Sequence, residues 1–125
     1  MSLRPLILLT FLFVLATSFE VPKGIAFDID VDSVLNNKRL LDAYTKCFLD
    51  KGPCAGAPRE MKKNFASIFS TNCSTCTKVQ KKQVRSAFNK LREKKPQEFH
   101  KIFEKYNPGN THLQRFLNWL KSNEL

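Results

Sequence analysis

The chain has 125 residues, of which 42% are hydrophobic and 26% charged, with only 4 Gly and 6 Pro. That length gives one small domain and excludes a two-domain enzyme with a cofactor-binding half; the composition excludes a disordered, collagenous or low-complexity chain. The net charge is +10 over the whole chain and +9 beyond residue 18.

The chain opens with Arg4 and an apolar run from Leu6 to Ala16, followed by the small residue Ser18. The run is too short for a membrane span, which needs roughly 20 residues. A positive start, a short apolar core and small residues near its end are the pattern of a secretory signal peptide. The expected organisation is therefore a leader over residues 1–18, cut after Ser18, and one domain over residues 19–125 that is secreted and works outside the cell. No second apolar stretch of that kind follows.

Beyond the leader the pattern is helix after helix, with no alternating Val, Ile and Thr run to suggest a strand. A short first helix opens near Asp30 with Val31, Val34 and Leu35 apolar. A second runs from about Asn37 to Lys51; its Leu40, Leu41, Tyr44, Cys47 and Phe48 share one stripe, and Gly52-Pro53 stops it. Pro58 suits the first position of a third helix, whose stripe is Met61, Phe65, Ile68 and Phe69. The fourth is expected from near Asn72, which would cap it, to Lys94, with Cys76, Val79, Val84, Ala87, Phe88 and Leu91 at helical intervals before Pro96. The fifth carries Phe99, Ile102, Phe103 and Tyr106 and ends at Pro108-Gly109. The sixth carries Leu113, Phe116, Leu117 and Leu120, with Trp119 beside them.

Four cysteines, Cys47, Cys54, Cys73 and Cys76, would meet an oxidising compartment. Three pairings are open; adjacency favours Cys47 with Cys54 and Cys73 with Cys76. Zinc is the competing use of Cys73-Ser74-Thr75-Cys76, but the other pair has six residues between its members instead of two to four. Adjacent bridges close short loops and remove little chain entropy, so the fold must rest on its apolar core, and no bridge would lock distant helices together. With all thiols oxidised no thiolate nucleophile remains. His100 and His112 are the only histidines, and no Gly-x-Ser-x-Gly elbow, zinc helix or phosphate loop occurs. Asp28, Asp30 and Asp32 lack the residues that would complete a calcium loop. A non-enzyme is expected, without cofactor or metal. Asn72-Cys73-Ser74 matches the glycosylation triplet but is expected to stay unmodified at a bridged helix start.

Charge and aromatic content separate the remaining function classes. Residues 19–58 carry a net −1 and residues 59–125 a net +10, crowded at Lys78, Lys81, Lys82 and Arg85 and again at Arg92, Lys94 and Lys95. Such a field attracts acidic lipid or an acidic partner; without helix-turn-helix, zinc-finger or zipper punctuation, no nucleic-acid partner is expected. Beyond residue 18 there are nine Phe, and Tyr44, Tyr106 and Trp119 bring the aromatic residues to twelve. They serve either a dry core or the wall of a slot that buries an alkyl ligand. Periodicity does not separate the two. Candidate wall residues are Tyr44, Phe48, Met61, Phe65, Ile68, Val84, Phe88, Leu91 and Tyr106, the two tyrosines also offering hydroxyls to a ligand head group.

The spacing Cys47-x6-Cys54-x18-Cys73-x2-Cys76 resembles that of the insect chemosensory proteins, the A10 or OS-D family. So do Asn37-Lys38-Arg39-Leu40-Leu41, the run Cys47-Phe48-Leu49-Asp50-Lys51-Gly52-Pro53-Cys54, Thr71-Asn72-Cys73-Ser74-Thr75-Cys76, Lys94-Lys95-Pro96 and Lys105-Tyr106-Asn107-Pro108. The likeness extends over residues 27–125. It implies an all-α, compact bundle of six helices around a hydrophobic channel that expands on binding, with bridges Cys47–Cys54 and Cys73–Cys76. It also implies a monomeric, non-enzymatic carrier of long-chain fatty acids, alcohols, esters, odorants or pheromones, handing cargo to or from a membrane or a sensory receptor. Three features depart from the family pattern. Phe27-Asp28-Ile29-Asp30 stands where Tyr-Asp-Asn-Ile-Asp is usual, Phe99 stands where Trp is common, and the chain is basic where relatives are often acidic. The basic charge shifts the expected ligand toward carboxylates or toward membrane contact. Two other classes compete: an extracellular developmental or signalling interaction protein with a dry core, and a basic membrane-active helical protein.

Overall fold

The computed structural model describes residues 30–123. The expected leader and its expected cleavage after Ser18, and Phe27, lie outside the described residues. Six α-helices follow in order: α1 (Val31–Leu35), α2 (Lys38–Phe48), α3 (Ala57–Thr71), α4 (Lys78–Lys94), α5 (Pro96–Tyr106) and α6 (Leu113–Lys121), with one 3-10 turn at Pro108–Asn110 before α6. No strand occurs among the described residues.

The helix boundaries are set by short-range chemistry. Asp30 caps α1, its carboxylate accepting from the Ser33 amide at 3.2 Å and the Ser33 hydroxyl at 2.7 Å. Asn37 caps α2 through the Leu40 amide. Pro58 sits in the first turn of α3, where its missing N–H leaves no helical bond unmade. Thr77 and Gln80 form a reciprocal capping box at the start of α4. Lys95 breaks the line between α4 and α5 with φ −139°, and Pro96 begins the new helix.

The start of α4 differs from the sequence expectation. Asn72 does not cap α4; it ends α3 in the left-handed region at φ 53°, and Cys73 follows at φ 61°. Two successive left-handed residues cannot continue a right-handed helix. The chain therefore turns, the Cys76 amide donating to the Cys73 carbonyl at 3.0 Å. The Cys73–Cys76 disulfide closes this turn between the helices, and α4 begins five residues later than Cys73, at Lys78.

The second disulfide, Cys47–Cys54, closes the link between α2 and α3. Gly52 belongs here because a Cβ on it would stand 3.1 Å from the Lys46 Cβ. Asp50, left-handed at φ 58°, directs its carboxylate to Lys105 of α5 at 2.8 Å and to Lys62 of α3. These contacts, Lys105 first and then Lys62, hold its carboxyl below the usual carboxylate range. One exposed carboxylate thus pins three helices at the end of α2.

Packing divides the bundle. Phe69 lies at the centre of one part, with Phe103 at 4.5 Å, Phe116 at 5.2 Å and Phe88 at 5.3 Å between ring centroids. Phe99, Phe103 and Phe116 are completely buried and Trp119 nearly so. The mixture of stacked and edge-on pairs adds to the area these rings remove from water. Phe99 fills a wholly buried place beside the Phe88 and Phe103 rings. Arg85 lies 4.7 Å over the Trp119 ring, so part of the basic face expected of α4 is folded against an aromatic side chain. The turn before α6 is held by buried Asn107, whose side chain accepts from the His112 amide at 2.9 Å and donates to the Thr111 hydroxyl at 3.2 Å.

Candidate functional site: an apolar chamber

The second part of the bundle is not filled. A cavity of about 60 Å³ lies between α1, α2, α3 and α4. It exists because α1 is a single short turn and a half laid over the opening between α2 and α4. Its Val31, Val34 and Leu35 face inward and close that side. Leu41, Tyr44, Thr45 and Phe48 of α2 form a second wall; Met61, Phe65 and Ile68 of α3 a third; Gln83, Val84, Ala87, Phe88 and Leu91 of α4 the fourth. On each long helix these positions recur at three- and four-residue steps, the stripe that faces a common axis.

Eight of the nine candidate wall residues meet here: Tyr44, Phe48, Met61, Phe65, Ile68, Val84, Phe88 and Leu91. Tyr106 does not line the chamber. Its ring packs 5.5 Å from Phe65 on the far side, and its hydroxyl donates to the Phe48 carbonyl at 2.6 Å. Burial, and then the negative charge of Asp50, push the phenol up from 10.0 to about 12, so it stays a donor across the neutral range. The hydroxyl is a tie between α5 and the end of α2, not a group offered to a ligand.

The sequence reading missed Leu41 and the α1 residues as wall, although their apolar stripes were visible. It missed Thr45, Gln83 and Ala87 for another reason: small or polar residues were not sought on an apolar wall. Phe48, Phe65 and Phe88 stand between the chamber and the ring cluster, with Phe48–Phe65 centroids at 4.7 Å and Phe65–Phe88 at 5.7 Å. Phe65 also stacks on Phe69, and Phe88 meets Phe69 edge-on, so the chamber wall is continuous with the ring cluster.

The lid over the chamber is fastened by charge. Lys90 of α4 pairs with Asp32 of α1, and the Lys94 ammonium donates to the Leu35 carbonyl at 2.9 Å and the Asn36 side-chain oxygen at 3.2 Å. At the neighbouring corner Lys95 meets Asp42 of α2 at 3.0 Å; that contact holds the Asp42 carboxyl below, and the Lys95 ammonium above, their ordinary ranges. By contrast Lys78, Lys81 and Lys82, in the first turns of α4, make no ion pair among the described residues. No group of His, Cys, Asp and Glu suited to a metal ion occurs among the described residues, and no described helix is long and apolar enough to cross a membrane.

Known proteins share this arrangement. The profile of the insect pheromone-binding family, A10/OS-D, matches residues 26–114. Ejaculatory bulb-specific protein 3 of Drosophila melanogaster is 34% identical over 89 residues, 71% of each chain. Allergen Tha p 1 of Thaumetopoea pityocampa is 35% identical over 94 residues, 75% of each chain. A solved chemosensory protein in complex with bromo-dodecanol superposes with a TM-score of 0.64 at 27% identity, covering 72% of this chain and 90% of that one. The chain belongs to the insect pheromone-binding family A10/OS-D. Family and fold are consistent with a secreted, non-enzymatic carrier of small hydrophobic molecules.

Proposed function

We propose that this member of the A10/OS-D family is a secreted carrier that takes one long-chain ligand, of the fatty acid, alcohol, ester, odorant or pheromone type, into the chamber between α1 and α4. The observation that carries the reading is the chamber itself: an apolar cavity bounded by four helices in a bundle whose other half is fully packed. The ligand contacts are Tyr44, Phe48, Met61, Phe65, Ile68, Val84, Phe88 and Leu91, together with the α1 valines. No bond is made or broken. The work is transfer of an alkyl chain out of water, roughly 0.8 kcal/mol for each buried methylene. A chain of about a dozen carbons, like the one named for the solved relative, would gain about 10 kcal/mol before the costs of association, which leaves micromolar affinity within reach.

The closed cavity is smaller than the ~300–1,000 Å³ typical of small-molecule sites. Loading therefore widens it. The parts able to give way are α1, held by one surface ion pair and two Lys94 hydrogen bonds, and Met61, a flexible side chain at the half-buried edge. Neither disulfide ties α1 or α4 to another wall, so the bridges permit this opening. Lys78, Lys81 and Lys82 supply a charged surface for contact with an acidic membrane during loading or delivery.

The test is displacement of a fluorescent apolar probe from delipidated, oxidised protein by ligands of increasing chain length. One-to-one displacement that tightens with each added methylene supports the carrier. Failure of a folded sample to bind any probe or ligand overturns it and favours a receptor-binding protein with a dry core.

A further inference from the structure

The basic charge of the chain suggests a carboxylate ligand, but the lysines on the α1 side of the chamber are already paired. Lys90 is taken by Asp32, Lys94 by the Leu35 carbonyl and Asn36, and Lys95 by Asp42. At the other end Lys62 and Lys105 share Asp50. No charged side chain lines the chamber. The α4 lysines without an ion pair among the described residues, Lys78, Lys81 and Lys82, do not line the chamber; Lys78 and Lys82 lie off the stripe of Val84, Phe88 and Leu91, and Lys81, on the side of Phe88, stands about two turns before it, toward the start of the helix.

What the wall does offer is neutral polarity. Thr45 spends its hydroxyl proton on the Asp42 carbonyl at 3.0 Å. The Tyr44 hydroxyl and the Gln83 carboxamide have no hydrogen-bond partner among the described residues. Gln83 is exposed and still contributes to the lining, which places it at the solvent edge of the chamber. An amide offers a donor and an acceptor together, the complement of an alcohol or an ester carbonyl. A carboxylate held against the same apolar lining would give up part of its hydration without meeting a countercharge.

We propose that the chamber selects by head-group charge, taking long alkyl ligands that end in an uncharged hydroxyl or carbonyl and rejecting the matching carboxylate, with Gln83 as the specificity-determining side chain. This rests on the carrier reading and names the ligand class for it. The +9 charge beyond residue 18 then serves the outer surface and the lid and is not spent on the ligand.

The experiment compares dodecanol, methyl dodecanoate and dodecanoate, below their aggregation limits and near neutral pH, as displacers of one fluorescent apolar probe. In the native chain the alcohol and the ester should bind roughly tenfold or more tighter than the carboxylate, a gap that persists at physiological salt. Gln83→Lys, a change between two good helix formers at an exposed position, should raise dodecanoate affinity about tenfold and so narrow or reverse its gap to dodecanol. Dodecanoate binding as tightly as dodecanol to the native chain overturns the proposal. Native selectivity with no response to Gln83→Lys overturns the role of Gln83. If the probe itself does not bind, the carrier reading has failed first, and that result is distinct from a carrier that binds every head group alike.

Discussion

The two halves of the bundle are built from the same helices and differ in what they leave empty. On α3, Phe69 is wholly buried among rings from α4, α5 and α6, while Met61, two turns earlier, is half-buried at the edge of a cavity. On α4, Phe88 touches both regions, and Ala87, its neighbour in sequence, lines the chamber with a single methyl group. The difference lies in the partner elements. The ring cluster is closed by α5 and α6, eleven and nine residues long, whose Phe side chains interlock. The chamber is closed by α1, five residues long, which brings two valines and one leucine. A small protein thus puts its stability into one half and keeps the other adaptable, at the edge of the same core.

The largest expected effect tests that division directly. Phe69→Ala should destabilise the chain by about 3–5 kcal/mol, read as a lowered urea midpoint, because its neighbours are rings that cannot collapse into the gap. Met61→Ala should cost about 1 kcal/mol, since that side chain already borders empty space and solvent. Equal losses at the two positions would break the comparison. The next effect is on binding: Ala87→Leu occupies the chamber, so dodecanol affinity should fall about tenfold while stability changes by less than about 1 kcal/mol. If affinity holds, the ligand lies elsewhere.

Tyr106 marks the seam. Tyr106→Phe removes the 2.6 Å bond to the Phe48 carbonyl and should cost about 1 kcal/mol, with alkyl-ligand affinity unchanged within about threefold because the hydroxyl faces away from the chamber. Its pH dependence has a fixed sign. The folded-state phenol titrates at about 12 against an ordinary 10.0, so the neutral form is favoured by folding. That contribution is complete below pH 10 and fades as pH rises through about 12. Comparing the alkaline unfolding of the two proteins should show the difference between them shrinking over that window.

Six helices, their order and most chamber residues were legible because large apolar side chains recur at helical spacing, and because the pattern from Cys47 to Cys76 carries a specific family likeness. Three things were not legible. The start of α4 was misplaced because Asn72 reads equally as a cap or as a left-handed stop; only the backbone at Asn72 and Cys73 decides. Tyr106 was grouped with the wall because a stripe fixes the side of a helix, not which of two apolar regions lies beyond it. Gln83 and Thr45 were passed over because polarity argues against a buried apolar wall; the argument fails for Gln83 at an entrance, where one end of the side chain meets water, and for buried Thr45 because its hydroxyl is satisfied within its own helix by the Asp42 carbonyl. Charge misled in the same way: a count of lysines says nothing about which are already paired.

The smallest effect bears on how the chamber opens. Asp32 and Lys90 form an exposed pair, 65% and 42% accessible at their side chains, and such pairs are worth about 0–1 kcal/mol and less in salt. Asp32→Asn should therefore leave global stability within about 0.5 kcal/mol. It should matter more for the lid, because α1 is one and a half turns long and has little helix-forming free energy of its own. Its anchorage consists of that pair, the two Lys94 contacts and the burial of Leu35. Loosening one tie favours the open chamber without altering the wall, so ligand association and dissociation should both quicken, by roughly twofold each, with the equilibrium constant nearly unchanged. Stopped-flow probe binding reads both rates. Added salt should bring the native chain toward the variant, since it screens the same pair. The other half is held differently: α6 packs on α4 through Trp119, Phe116 and Leu120, which are buried, and local opening there would have to expose rings. Rates that fail to respond to Asp32→Asn would mean that α1 is not the moving part, leaving Met61 and the gap between α3 and α4 as the entrance.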